Sequence, residues 1–93
     1  MSPEARRQVR VVNRDGLHAR SCQAVVALVK KHRSDVRLVK GSNRAEGKSI
    51  FDLMLLEAAN GDVIELVANG PDADVLVAAL AALFASGFGE GAV

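Results

Sequence analysis

Apolar residues in this chain recur at two different spacings, and the spacing changes wherever a Gly, Asn or Asp cluster interrupts. In QVRVVN (8–13), Val9 and Val11 alternate with Gln8 and Arg10, the two-residue period of a half-buried strand. Residues 1–7 ahead of it are polar and read as a frayed end. After Asp15-Gly16, a turn pair, Cys22, Val25, Val26 and Val29 recur at the three-to-four spacing of an amphipathic helix running from Ala19 to about His32. Lys30, Lys31 and His32 close it with cations suited to a helix C-terminus. DVRLVK (35–40) alternates again, with Val36 and Leu38 inward. GSN (41–43) is a turn, after which RAEG pairs back as a short strand.

SIFDLMLLEA (49–58) reads as a second helix, opened by the S-x-x-D capping signature of Ser49 and Asp52. NGD (60–62) turns the chain into a strand over 63–68, and NGPD (69–72) breaks it. A third helix spans 74–87, with Leu76, Leu80, Leu83 and Phe84 as its buried stripe and Gly87 as its C-cap. FGEGAV is left as a tail. The order β-α-β-β-α-β-α describes an α+β fold, with three helices stacked on one face of a four-stranded, largely antiparallel sheet. Ninety-three residues make one domain, 1–93, with a core over about 8–88.

Bulk properties exclude several classes. No apolar run reaches the ~18 residues a membrane span requires, and no signal peptide opens the chain. One cysteine permits no intrachain disulfide and fits a reducing, cytoplasmic setting. The basic first half raises a nucleic-acid-binding domain as a lesser alternative, against which stand only three aromatics, with no Trp or Tyr to serve as stacking platforms. The net charge of +1 conceals an asymmetry. All 12 Lys and Arg lie at or before Lys48 with four acids, giving +8; the remainder holds seven acids and neither cation, giving −7. Either the chain meets an anionic partner, or its two halves interleave and the charges complement each other.

The most informative stretch is RDGLHARSC (14–22). A helix begins here, where unpaired backbone N–H groups and the macrodipole attract anions. The first turn carries no acid, as the dipole would favour, but His18 and Arg20. Arg20 is a permanent cation able to grip two oxyanions at once. His18 is a nitrogen nucleophile usable at neutral pH. Together with the amides of Ala19, Arg20 and Ser21, they suit a phosphoryl group that is bound and then taken up covalently on nitrogen. The bland reading is a capping His18 and a solvated Arg20. Cys22, one helical turn after His18, reads as a small core residue. Two such residues do not make a metal site, so no metal and no cofactor are expected.

GLHAR followed by a helix, then GKSIFDLMLL some thirty residues on, resembles the HPr family, the histidine-containing phosphocarriers of the bacterial phosphotransferase system. The resemblance runs from about Val9 to Phe88 and implies the family's open-faced β-sandwich. It implies that His18 is the phosphorylated histidine, modified on Nδ1, and that Arg20 positions the phosphoryl group. It implies enzyme I as donor and an EIIA-type domain as acceptor, in sugar uptake or in a regulatory, nitrogen-related branch. The carrier is then no enzyme with a small-molecule substrate, and a monomer suits a protein docking two partners by one face. The family's motif continues with Pro-Ala where this chain has Ser21-Cys22, a change expected to loosen the helix start. A regulatory binding module without efficient transfer is the alternative that this change leaves open.

The resemblance marks two further features. Ser49 reads as an N-cap, and in some family members the matching serine is phosphorylated by an HPr kinase/phosphorylase. Ile50, Phe51, Leu53, Met54, Leu55 and Leu56 crowd seven positions, more than two helical turns bury under one sheet. Ile50, Phe51 and Met54, with Lys48 on the rim, are the expected partner contacts.

Overall fold

The computed structural model describes residues 4–90. In chain order the elements are β1 (Glu4–Arg10), α1 (Ala19–Lys30), β2 (Asp35–Lys40), β3 (Asn43–Glu46), α2 (Ile50–Leu55), β4 (Val63–Asn69) and α3 (Ala73–Ala85). A short 3-10 turn, Gly87–Gly89, follows. The four strands form one antiparallel sheet in the order β1-β4-β2-β3.

Alternation sets the two faces of this sheet. Val9, Val36, Leu38, Ala45, Ile64, Leu66 and Ala68 point into the core, where they meet Cys22, Val25 and Val29 of α1, Leu53 of α2 and Leu76, Leu80 and Phe84 of α3. Burying each large side chain contributes about 1.5–3 kcal/mol. The other face is open. Arg6 and Gln8 of β1 are exposed there, and Arg6 and Arg37 flank Val67 in register. This is the open-faced sandwich expected. Among the described residues, no helix is long and apolar enough to cross a membrane.

The sheet order also decides between the two explanations of charge. β4, from the acidic half, lies between β1 and β2 of the basic half. Arg6 approaches Glu65 at 3.6 Å, and Lys40 approaches Asp62 at 3.4 Å. The halves interleave, and part of the asymmetry is complementation inside the fold.

Several boundaries differ from expectation. Glu4–Arg7 are not frayed: they pair with Leu66–Asn69, because β4 offers a full-length neighbour. Residues 1–3 lie outside the described residues. α2 stops at Leu55, because Glu57 turns left-handed at φ 50° and ends the helical path. The Ser49 hydroxyl does accept the Asp52 N–H at 3.2 Å. Asp52 does not reciprocate: its carboxylate takes the Glu46 N–H at 3.3 Å, while the Ser49 N–H donates to the Glu46 carbonyl. α3 begins one residue early and ends at Ala85, with Gly87 left-handed just beyond as expected, and Leu83 is only half-buried.

The start of α1 contradicts the expectation of a loosened turn. His18 is the N-cap, in extended conformation. The Ser21 hydroxyl, buried at 1% exposure, accepts the His18 N–H at 3.0 Å. Its own proton reaches the Gly16 carbonyl at 3.0 Å or that of His18 at 3.2 Å. The His18 ring closes the reciprocal half by accepting backbone N–H groups of the first turn. Ser21 therefore fixes by hydrogen bonds what proline fixes by its ring. Gly16 makes the preceding turn possible. Its φ is +66°, and a Cβ there would lie 2.3 Å from the Ala58 carbonyl oxygen.

Three substitutions test this account of the turn. Ser21→Ala should lower the unfolding free energy by about 1–2 kcal/mol, since it strands the His18 N–H. Gly16→Ala should cost about 3 kcal/mol or more, combining left-handed strain with a backbone clash. Gly61→Ala, with positive φ but open space around it, should cost only about 1–2 kcal/mol. Urea midpoints at constant m-value measure all three; equal losses at Gly16 and Gly61 would contradict the clash.

Candidate functional site

The loop carrying His18 is tied on both sides. Val11 N–H donates to the Asp62 carbonyl and Gly61 N–H to that of Val11. The Asn60 amide holds the carbonyls of Val12 and Asn13, each at 3.2 Å. Leu17 is buried, and its N–H donates to the Ala58 carbonyl at 2.8 Å. The Asn13 side chain, 1% exposed, spans the loop and donates to the Gly16 carbonyl at 2.8 Å. A loop held this way presents His18 from a rigid base instead of a mobile tip.

The His18 ring is about one-third exposed, and its two nitrogens face different surroundings. Nδ1 turns toward the first turn of α1, where it accepts the Arg20 N–H at 3.4 Å and the Ser21 N–H. Nε2 meets Glu90 Oε2 at 2.7 Å. A carboxylate only accepts, so Nε2 carries the proton and Nδ1 the lone pair; this tautomer is assigned from the hydrogen-bond network. The other Glu90 oxygen, Oε1, accepts from the Asn13 amide at 3.1 Å. The Asn13 amide, the His18 ring and the nearby Arg20 cation hold the Glu90 carboxyl below the usual range against the opposing effect of burial. Glu90 is thus ionised at neutral pH.

Ala19 and Arg20 are exposed on the first turn, and among the described residues the Arg20 guanidinium makes no ion pair within 4 Å. It is free to meet an oxyanion. The Ser21 N–H faces the ring, while its buried hydroxyl is directed to the Gly16 and His18 carbonyls. Cys22 is fully buried, and burial pushes its thiol up to about 11. It packs in the core and is unreactive. His32 donates from Nδ1 to the Leu28 carbonyl at 2.8 Å, capping the far end of α1. Asp15, His18 and Glu90 each offer one ligand atom, all within 4.8 Å of one another. Within this triangle, His18 and Glu90 are already joined by their own hydrogen bond.

The second region divides its residues as crowding demanded. Leu53 and Leu56 are core, whereas Phe51 and Leu55 are 77% and 76% exposed and Met54 is 41% exposed. Ile50 is half-buried and lines a groove of about 380 Å³ with Val26 and Ala27 of α1, rimmed by Lys30 and Lys48. Lys48 is tied to Asp35 at 3.1 Å. Ser49 is half-buried and capped as described above.

Three residues escaped the sequence reading. Leu55 was counted in the crowd but not placed outward. Asn13 ends a strand-like run and carries no motif. Glu90 sits in what reads as a tail, but the Gly87–Gly89 turn folds it back onto His18, 72 positions away. Residues 91–93 lie outside the described residues.

Comparison with known proteins agrees with this geometry. Residues 5–86 match the family model described as the PTS HPr component phosphorylation site. The phosphocarrier protein HPr of Neisseria meningitidis is 38% identical over 86 residues, covering 92% of this chain and 97% of the relative. The phosphocarrier protein NPr of Escherichia coli is 36% identical over 83 residues, covering 88% and 92%. A crystal structure of HPr from Thermoanaerobacter tengcongensis superposes with a TM-score of 0.89 at 32% identity, covering 94% of this chain and 98% of that one. A family model spanning nearly the whole chain, full-length relatives and a superposing fold lead to one conclusion: this chain belongs to the HPr family of phosphocarrier proteins of the phosphotransferase system.

Proposed function

We propose that the chain carries a phosphoryl group on Nδ1 of His18, accepting it from enzyme I and passing it to an EIIA-type domain. The observation that supports this most is the direction of the ring. Its unprotonated nitrogen, Nδ1, faces the amides of a helix N-terminus, beside an unpaired guanidinium. Phosphorus arriving there would place its oxygens against the amides of the first turn and within reach of Arg20. A charge-assisted hydrogen bond contributes about 1.5–3 kcal/mol, so two or three set how readily the group is taken and released. In the transfer, the Nδ1 lone pair attacks phosphorus, and the donor leaves with the electron pair of its own bond to phosphorus.

Partners dock on the apolar surface of α2. Phe51, Met54 and Leu55 supply area, the Ile50 groove supplies shape, and Arg20 and Lys48 supply charge that meets acidic partner surfaces. One face serves both donor and acceptor in turn, which favours a monomer. Both HPr and NPr proteins are among the relatives, so the sugar and nitrogen-related branches are both open to this reading. Ser49 is the candidate for regulatory phosphorylation by an HPr kinase/phosphorylase, since its hydroxyl lies at the edge of the same surface. The hydroxyl accepts one hydrogen bond, from the Asp52 N–H, and the residue is half-buried.

Incubated with cognate enzyme I and phosphoenolpyruvate, the protein should gain one acid-labile phosphate by intact mass, and His18→Ala should gain none. An unchanged wild-type mass would leave a binding module without transfer. Phe51→Glu should weaken enzyme I binding by about tenfold or more with the fold intact, because that ring is an exposed anchor. Calorimetric titration reads this, and an unaltered affinity would remove α2 from the docking surface.

A further inference from the structure

We infer that Glu90 and Asn13 are positioning residues that keep the proton on Nε2 of His18 through the whole transfer cycle. This rests on the reading that His18 is the phosphoryl carrier.

The placement of Glu90 is built by the chain. After α3, Gly87, Phe88 and Gly89 take φ values of 64°, 58° and 71°, three left-handed residues in succession. Such a conformation is strained at the non-glycine Phe88. It is held there by the edge of the Phe84 ring, 4.9 Å away between centroids at 63°, and by the Glu90 N–H bonded to the Gly87 carbonyl at 3.0 Å. The result is a chain reversal that delivers Glu90 to the imidazole. Both carboxylate oxygens are then used, Oε2 by His18 and Oε1 by Asn13. Asn13 is itself fixed, buried and bonded to Gly16. The order ring–carboxylate–buried amide is that of a base whose tautomer and orientation are set from behind. Among the described residues, the other charged groups near the ring are Asp15, exposed on the loop, and Arg20 on α1.

The chemistry explains what such a hold does. When the neutral ring attacks through Nδ1, the Nδ1–P bond forms, the donor–P bond breaks toward the donor, and the ring becomes a phosphoimidazolium with one positive charge. That charge develops against the Glu90 carboxylate. The Nε2 proton stays on the ring. In the outward step an acceptor attacks phosphorus and the Nδ1–P pair returns to the ring, so neutral imidazole departs. Had Nε2 lost its proton in the meantime, the leaving group would be an imidazolate anion, a far poorer one. Glu90 thus serves both directions without moving a proton to solvent.

The test compares the full-length wild type with Glu90→Gln and Asn13→Ala. In the unphosphorylated protein, the Nε2–H proton of His18 should appear as a downfield resonance slow to exchange with water, broadened in Asn13→Ala and in Glu90→Gln. This arm needs no phosphoryl donor, so its failure is separable from failure of the carrier reading. In the phosphorylated protein, donation back to dephosphorylated enzyme I is followed against pH by rapid quench. Glu90→Gln should match wild type at acidic pH, where solvent keeps Nε2 protonated. It should fall off at a lower pH than wild type, and donate on the order of tenfold more slowly at a fixed alkaline pH. Convergence on the acid side excludes simple misfolding. Superimposed pH profiles, or an exchange rate of the Nε2 proton unchanged by either substitution, would overturn the inference.

Discussion

The reciprocal cap between His18 and Ser21 is the contact on which the site depends. One side chain accepts first-turn amides from the helix it starts; the other, two bonds deep in the fold, accepts the N–H of the first. Together they fix the ring at the helix tip with its Nδ1 inward and leave Nε2 to be claimed from outside. A serine at this point gives up the rigidity of a proline ring and replaces it with a buried hydroxyl whose donor and acceptor roles are both used. The exchange works only because Gly16 lets the loop turn tightly over residues 58–59, which brings the Gly16 carbonyl within reach of that hydroxyl.

The site is therefore assembled from two distant stretches of the chain. The loop before α1 supplies the imidazole and Asn13, the first turn supplies amides and Arg20, and the turn after α3 supplies Glu90. The sheet order brings these together, because α3 packs behind β1, the strand that leads directly into the loop. The same order sets β4 between basic strands. Part of the lopsided charge along the chain is thereby matched within the fold, while Arg20 makes no ion pair within 4 Å among the described residues.

Where a single period governed a segment, the sequence was nearly enough: β2 lies where alternation puts it, and Cys22, Val25 and Val29 of the α1 stripe are buried, while Val26 is only half-buried beside the Ile50 groove. The histidine and arginine at a helix start were legible as a candidate anion site, and the capping role that competed with that reading is also present, since His18 is the N-cap of α1. Ends were harder. The N-terminal strand gained its first residues from pairing with β4, a partner that local polarity does not announce. α2 was cut short by one left-handed residue, Glu57, whose side chain gives no hint of that backbone. Glu90 and Asn13 were invisible for a different reason: their meaning lies in contacts across some seventy positions, created by three successive left-handed residues that look like a glycine-rich tail.

The central claim is that the helix tip directs Nδ1, and not Nε2, at incoming phosphorus. The most direct measurement is phosphorus-coupled 1H–15N NMR of the 15N-labelled protein after phosphorylation. The account requires phosphorus coupled to Nδ1 of His18, with the backbone amides of Arg20 and Ser21 strongly displaced. Phosphorus coupled to Nε2, or first-turn amides that do not respond, would contradict it.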